Sequence, residues 1–132
     1  MAQLDQKQTD FLQNPYVGVV TTLRKDGSPH ATVVWVDVDG GQVSFNTAVG
    51  RAKERHIREN PHVALTVVDP QDPYKWLTLT GTAELTTDGA DPQIDRLAKK
   101  YLGQDEYPWR NPTEQRISVK ISPERVETYG LD

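Results

Sequence analysis

The sequence predicts a mainly β, α+β chain: a six-stranded antiparallel split β-barrel with short flanking helices. Three observations predict it. Runs rich in β-branched and aromatic residues recur along the chain, Gly/Asp/Pro turn signals separate them at short spacing, and helical patterns are few and brief.

Each element has its own reason. Residues 3–13 carry Leu4, Phe11 and Leu12 at offsets that share one helical face, and Asn14-Pro15 ends this covering helix. Tyr16 to Leu23 is the first strand, with Val17, Val19, Thr21 and Leu23 on one side, and Lys25-Asp26-Gly27-Ser28 reverses the chain. His30 to Val38 returns, and Asp39-Gly40-Gly41 leads into Val43 to Thr47, which completes a meander. After a short basic helix closed by Asn60-Pro61, His62 to Val68 is almost continuously apolar, the pattern of a strand buried on both faces. Tyr74 to Thr87 is a long strand in which Gly81 marks a bulge or a close backbone approach.

Asp91-Pro92 reads as the cap and first residue of a helix that aligns Ile94, Leu97, Ala98 and Tyr101 and stops at Gly103. Gln104 to Thr113 is irregular and holds Tyr107, Trp109 and Arg110. The last strand, Glu114 to Ser122, alternates Ile117, Val119 and Ile121, and Pro123 interrupts it before Val126 to Tyr129.

A length of 132 residues fits one domain over residues 1–132. The formal net charge of -4 argues against nucleic acid as the main partner, because such proteins need a broad basic surface. With no cysteine, disulfides, thiolate metal sites and cysteine nucleophiles are excluded. The first residues have no apolar signal core and no stretch approaches membrane-spanning length, so the expectation is a cytoplasmic chain with no membrane partner. The nucleotide-binding glycine motifs are missing, and His30, His56 and His62 lack metal-ligand spacing, so no metal is expected.

The stretch from Phe45 to Pro61 carries the chemistry. A strand passing through small residues into a helix start leaves backbone N–H groups and the positive end of the dipole facing outward, a setting that suits an anion. Arg51 and Lys53 stand in that first turn, at the end where cations are unfavourable unless an anion completes the site. A phosphate fits, held by a bidentate guanidinium and a point charge. Arg55, Arg58, Glu54 and Glu59 lie at spacings that pair along the helix and read as a solvated face. Trp35, Trp76 and Trp109 supply apolar bulk suited to a core, an interface or the walls of a pocket for a flat ring.

Taken in order, Thr32-Val33-Val34-Trp35, Val43-Ser44-Phe45-Asn46-Thr47, Gly50-Arg51-Ala52-Lys53 and Asn60-Pro61-His62-Val63-Ala64-Leu65 resemble the pyridoxamine 5'-phosphate oxidase-like split-barrel superfamily. Gly-Arg-Ala-Lys-x-Arg, the later Gly81-Thr82-Ala83 and the C-terminal Tyr129-Gly130 are similar to its branch that uses the deazaflavin coenzyme F420. The resemblance implies a homodimer with the cofactor in a groove at the subunit interface. It implies that Arg51 and Lys53 bind the phosphate beside Gly50, that Asn46, Thr47 and Ala48 line its approach, and that Thr32, Val33 and Val34 run along the ring. Trp76 would come from the partner subunit.

The end of the chain lacks the arginine-rich segment of the pyridoxamine phosphate oxidases proper, so vitamin B6 oxidation is not what the resemblance implies. It implies an F420-dependent oxidoreductase acting on a small conjugated organic substrate. The alternatives are an FMN-dependent reductase or oxidase and a non-catalytic F420- or flavin-binding protein.

Overall fold

The computed structural model describes residues 2–131. The elements run α1 (Gln6–Gln13), β1 (Gly18–Leu23), β2 (Pro29–Val34), β3 (Val36–Asp39), β4 (Gln42–Ala48), α2 (Ala52–Glu59), β5 (His62–Asp69), β6 (Asp72–Thr86), α3 (Ala90–Leu102) and β7 (Arg116–Tyr129). All strand pairs are antiparallel, in the sheet order β2-β1-β5-β6-β7-β4-β3. The two edges of this sheet, β2 and β3, are consecutive in the chain. The stretch expected as one strand from His30 to Val38 changes partner at Trp35: Val33 pairs with Val19 of β1, and Val36 pairs with Phe45 of β4. The sheet is thereby curled into a split barrel, and both edges are joined through one residue.

Tyr101 and Lys100 of α3 hold that junction. The Tyr101 hydroxyl accepts from Val36 N at 2.9 Å and donates to Tyr16 O at 2.7 Å, while Lys100 Nζ donates to Val36 O at 2.6 Å and Leu12 O at 2.7 Å. Backbone groups freed where pairing switches thus find side-chain partners. Burial pulls the Lys100 amine down to about 8 and pushes the Tyr101 phenol up to about 12.

Inside the curl, Val20, Val36, Val43, Phe45, Leu65, Leu77, Leu79, Val119 and Ile121 form the core, and Phe11 and Leu12 of α1 pack against it. Gly81 lies at both things its sequence position implied. A Cβ there would stand 2.0 Å from Ser122 O, and the β6–β7 register shifts beside it. The same bulge accommodates Pro123, so β7 runs through to Tyr129 instead of breaking as expected. A second correction concerns α3: its cap is Gly89, in the left-handed region at φ 73°, and Asp91 lies within the first turn. Among the described residues, no helix is long and apolar enough to cross a membrane.

The outer face of β1, β2, β5 and β6 is apolar and uncovered. Val17, Val19, Val33, Val68 and Tyr129 are exposed, and register sets Val33 beside Val19 and Trp76 between Val68 and Tyr129. The Trp76 and Tyr129 rings stack at 6.3 Å.

Candidate functional site

Strand β4 alternates between two environments. Val43 and Phe45 point into the barrel, whereas Ser44 and Asn46 share the face that α3 covers. Register carries this polar face onto β7, where Ser118 opposes Asn46 and Arg116 opposes Ala48. Gln93 of α3 gathers the group: its Nε2 donates to Ser44 Oγ at 2.8 Å, and its Oε1 accepts from Ser118 Oγ at 2.6 Å and Asn46 Nδ2 at 2.9 Å. Asn46 Oδ1 in turn accepts from Arg116 Nε at 2.9 Å.

That chain of bonds fixes a buried arginine at the wall of a cleft. The cleft has a volume of about 190 Å³. Val33, Val34 and Trp35 form its strand side, Ile94 and Leu97 its helical side, and Tyr107 and Trp109 its mouth. Trp35 stacks on Tyr101 at 5.4 Å, Tyr107 meets Trp109 edge-on at 5.8 Å, and the Arg116 guanidinium lies 5.3 Å from the Tyr107 ring. Trp109 is 61% exposed, and Arg116 only 7%.

Three cations, Arg51, Lys53 and Arg116, reach this cleft. Glu114 bridges two of them, accepting from Arg51 Nη2 at 2.6 Å and from Arg116 Nη1 at 3.2 Å. The Arg51 hydrogen bond is the main reason its carboxyl is held below the usual glutamate range. Lys53 makes no hydrogen bond or ion pair among the described residues. Burial first, then the Arg51 and Arg116 charges, lower its ammonium pKa. The Thr47 hydroxyl is buried and also without a partner.

The start of α2 differs from the sequence expectation in two respects: Glu54, expected on a solvated face, is buried, and it caps part of the helix start. Gly50, at φ 92°, donates its N–H to Glu54 Oε1 at 2.9 Å, and the Arg51 N–H bonds Ala48 O at 3.2 Å. Buried Glu54, which also pairs with Arg58, therefore meets part of the helix-end charge from within.

Of the residues singled out by sequence, Val33, Val34, Asn46, Thr47, Arg51 and Lys53 meet at this cleft. Thr32 adjoins it on β2, with a buried, unpartnered hydroxyl, whereas Ala48 and Gly50 form the turn beneath it. Trp76 stands on the uncovered outer face. Sequence reasoning missed Arg116, Glu114, Gln93 and Tyr107. Arg116 and Ser118 follow the polar phase of an alternating strand, which reads as solvent-facing until α3 is known to cover it. Among the described residues no cluster of three or more His, Asp or Glu side chains could hold a metal. His56 bonds Thr22 Oγ1 at 2.9 Å and meets His30 edge-on.

A curled antiparallel sheet, closed through a strand that changes partner, with a cationic aromatic cleft on its rim, defines the class of split-barrel proteins. The chain belongs to the pyridoxamine 5'-phosphate oxidase family, whose sequence model matches residues 4–130. It is 26% identical over 117 residues to an F420H(2)-dependent biliverdin reductase of Mycobacterium tuberculosis (strain CDC 1551 / Oshkosh), an alignment covering 88% of this chain and 81% of that protein. A solved structure described as an F420 reductase is 28% identical, superposes with a TM-score of 0.80, and is matched over 94% of this chain and 98% of that one. A conserved hypothetical protein from Mycobacterium tuberculosis, 20% identical, shares the fold with a TM-score of 0.78 over 99% of this chain and 87% of its own.

Proposed function

We propose that this chain is an oxidoreductase that binds coenzyme F420 at the interface of a homodimer and reduces a small conjugated organic substrate. The observation that carries the reading is an aromatic-walled cleft lined by three cations, one of which, Lys53, has no protein partner among the described residues. A half-buried cation held beside two others is costly, so its persistence here suits an anionic ligand that completes it. Similarity to the two F420-dependent relatives adds support.

On this reading Arg51 and Lys53 grip the phosphate, Asn46, Thr47 and Ala48 line its approach over the Gly50 turn, and Thr32, Val33 and Val34 flank the ring. Trp35, Tyr107 and Trp109 exclude water from its edge. Bound there, the reduced coenzyme supplies the hydride. The protein orients the ring and selects the acceptor.

The volume of about 190 Å³ is small beside the ~300–1,000 Å³ usual for such ligands, so one subunit offers only part of the site. Val33, 63% exposed, belongs both to the cleft and to the apolar outer face of β1, β2 and β5. A second copy packed on that face would bury it and bring the partner subunit's Trp76 toward the ring.

Titration of the purified protein with F420 and with FMN, followed by tryptophan quenching, tests the proposal. Tighter binding of F420, followed by turnover of a conjugated acceptor with the reduced coenzyme, is expected. Preference for FMN would make it a flavin enzyme, binding without turnover would leave a carrier, and no binding of either would overturn the reading.

A further inference from the structure

Two of the three cations that line the cleft share one carboxylate, Glu114, which stands behind them and is not itself part of the lining. Glu114 Oε1 lies 2.6 Å from Arg51 Nη2 and Glu114 Oε2 lies 3.2 Å from Arg116 Nη1, so one side chain joins guanidiniums from opposite banks. Arg116 is pinned on two more sides, through Nε to Asn46 and by the Tyr107 ring. A phosphate that reaches Arg51 and Lys53 therefore stands beside a fixed negative charge. We propose that Glu114 sets the charge selectivity of this cleft, tilting it toward a singly charged phosphodiester and away from a doubly charged phosphomonoester. The inference rests on the reading of Arg51 and Lys53 as phosphate anchors.

Repulsion from a fixed charge grows in proportion to the charge on the ligand. Whatever factor Glu114 removes from the affinity of a monoanion, it removes about the square of that factor from a dianion at the same place. A phosphomonoester loses its second proton near pH 6 and is a dianion at pH 8, whereas a diester keeps one charge. The selectivity is thus built from one bridging side chain and needs no steric barrier. It also gives a physical basis for separating F420, whose phosphate is a diester, from FMN, whose phosphate is a monoester.

The test is Glu114→Gln, which keeps the size of the side chain and one acceptor for the arginines. Riboflavin, the methyl ester of FMN and FMN present one ring with zero, one and two charges at pH 8. Measured by tryptophan quenching, the substitution is expected to leave riboflavin unchanged, tighten the methyl ester about threefold and tighten FMN about tenfold. Equal changes for all three, or weaker binding of FMN, would show that Glu114 only positions the arginines and would overturn the inference. Phenyl phosphate and methyl phenyl phosphate repeat the comparison without a tricyclic ring. If neither cofactor binds but the dianion still gains more than the monoanion, the cofactor assignment fails and the charge selectivity stands. If the two esters respond alike, the selectivity fails independently of the cofactor.

Discussion

The bank of the cleft under α3 and the bank at the start of α2 are built from similar polar residues but treat them in opposite ways. Under α3, Ser44, Asn46, Gln93, Arg116 and Ser118 are joined by hydrogen bonds of 2.6–2.9 Å. At α2, Thr47 Oγ1 is buried with no partner and Lys53 stands close enough to Arg51 and Arg116 for their charges to lower its pKa. The first bank satisfies itself and so fixes shape. The second leaves the Lys53 ammonium and the Thr47 hydroxyl without partners, which raises the energy of the empty protein and which a bound anion would relieve. On the proposed reading, structure and binding are divided between two walls of one cleft.

Substitutions on the self-satisfied bank should act on folding. Gln93→Ala leaves Ser44, Ser118 and Asn46 without their shared partner in a buried place. A loss of about 1–3 kcal/mol is expected, seen as a lower urea midpoint with an unchanged slope. Cofactor affinity should fall less, through the loosened Asn46–Arg116 bond. An unaltered midpoint would mean that the network contributes nothing to stability and would erase the contrast between the banks.

On the open bank the sign of the effect on stability should reverse while binding suffers. On the proposed reading, Lys53→Ala would remove a charged hydrogen bond to phosphate, about 1.5–3 kcal/mol, so affinity should drop roughly tenfold to a hundredfold. The unliganded protein should be as stable as before or slightly more so, because a desolvated cation beside two others is gone. The pH dependence follows with opposite signs for the two quantities. The free protein holds the Lys53 pKa low and a bound phosphate raises it again. Affinity is therefore full at lower pH and declines as pH rises through the lowered value, ahead of an ordinary lysine. Stability of the unliganded protein gains over that same window up to the ordinary pKa, because the unfolded chain there binds more protons. Titration across neutral to alkaline pH, for wild type and Lys53→Ala, checks both trends.

The same division governs what the sequence made readable. Open-bank residues announce themselves locally: Arg51 and Lys53 sit at a helix start where cations are out of place, and Thr47 lies a few residues ahead of them. The satisfied bank is assembled from distant positions, with Asn46 and Arg116 70 residues apart and Ser44 and Gln93 49 apart, and no local pattern links them. β5, expected from its apolar run to be buried on both faces, buries only Val63, Leu65 and Val67 on one face and leaves Val68 exposed on the other. The other strands were legible from alternation, and Gly81 from its place inside a strand. The partner switch at Trp35 was not, because a strand that exchanges neighbours keeps its two-residue period throughout, with Val34 and Val36 both buried. The α3 cap was misjudged because Gly89 adopts the left-handed conformation one residue ahead of the helix, leaving Asp91 inside the first turn, where its charge still suits the dipole.

Thr47→Val is the smallest change that separates the two banks. The side chain is 1% exposed and its hydroxyl has no partner, so the methyl that replaces it meets the same neighbours at nearly the same volume. Without ligand, removing an unsatisfied buried hydroxyl lowers a cost, and stability should stay level or rise by a few tenths of a kcal/mol. With ligand, one neutral hydrogen bond is missing, and affinity should fall by about 0.5–1.5 kcal/mol, roughly twofold to tenfold. A residue that served only the fold could not show that pairing of signs. If thermal melts and F420 titrations of Thr47→Val instead moved together, both downward, the hydroxyl would belong with Ser118 and Gln93 among the groups that hold the barrel in shape.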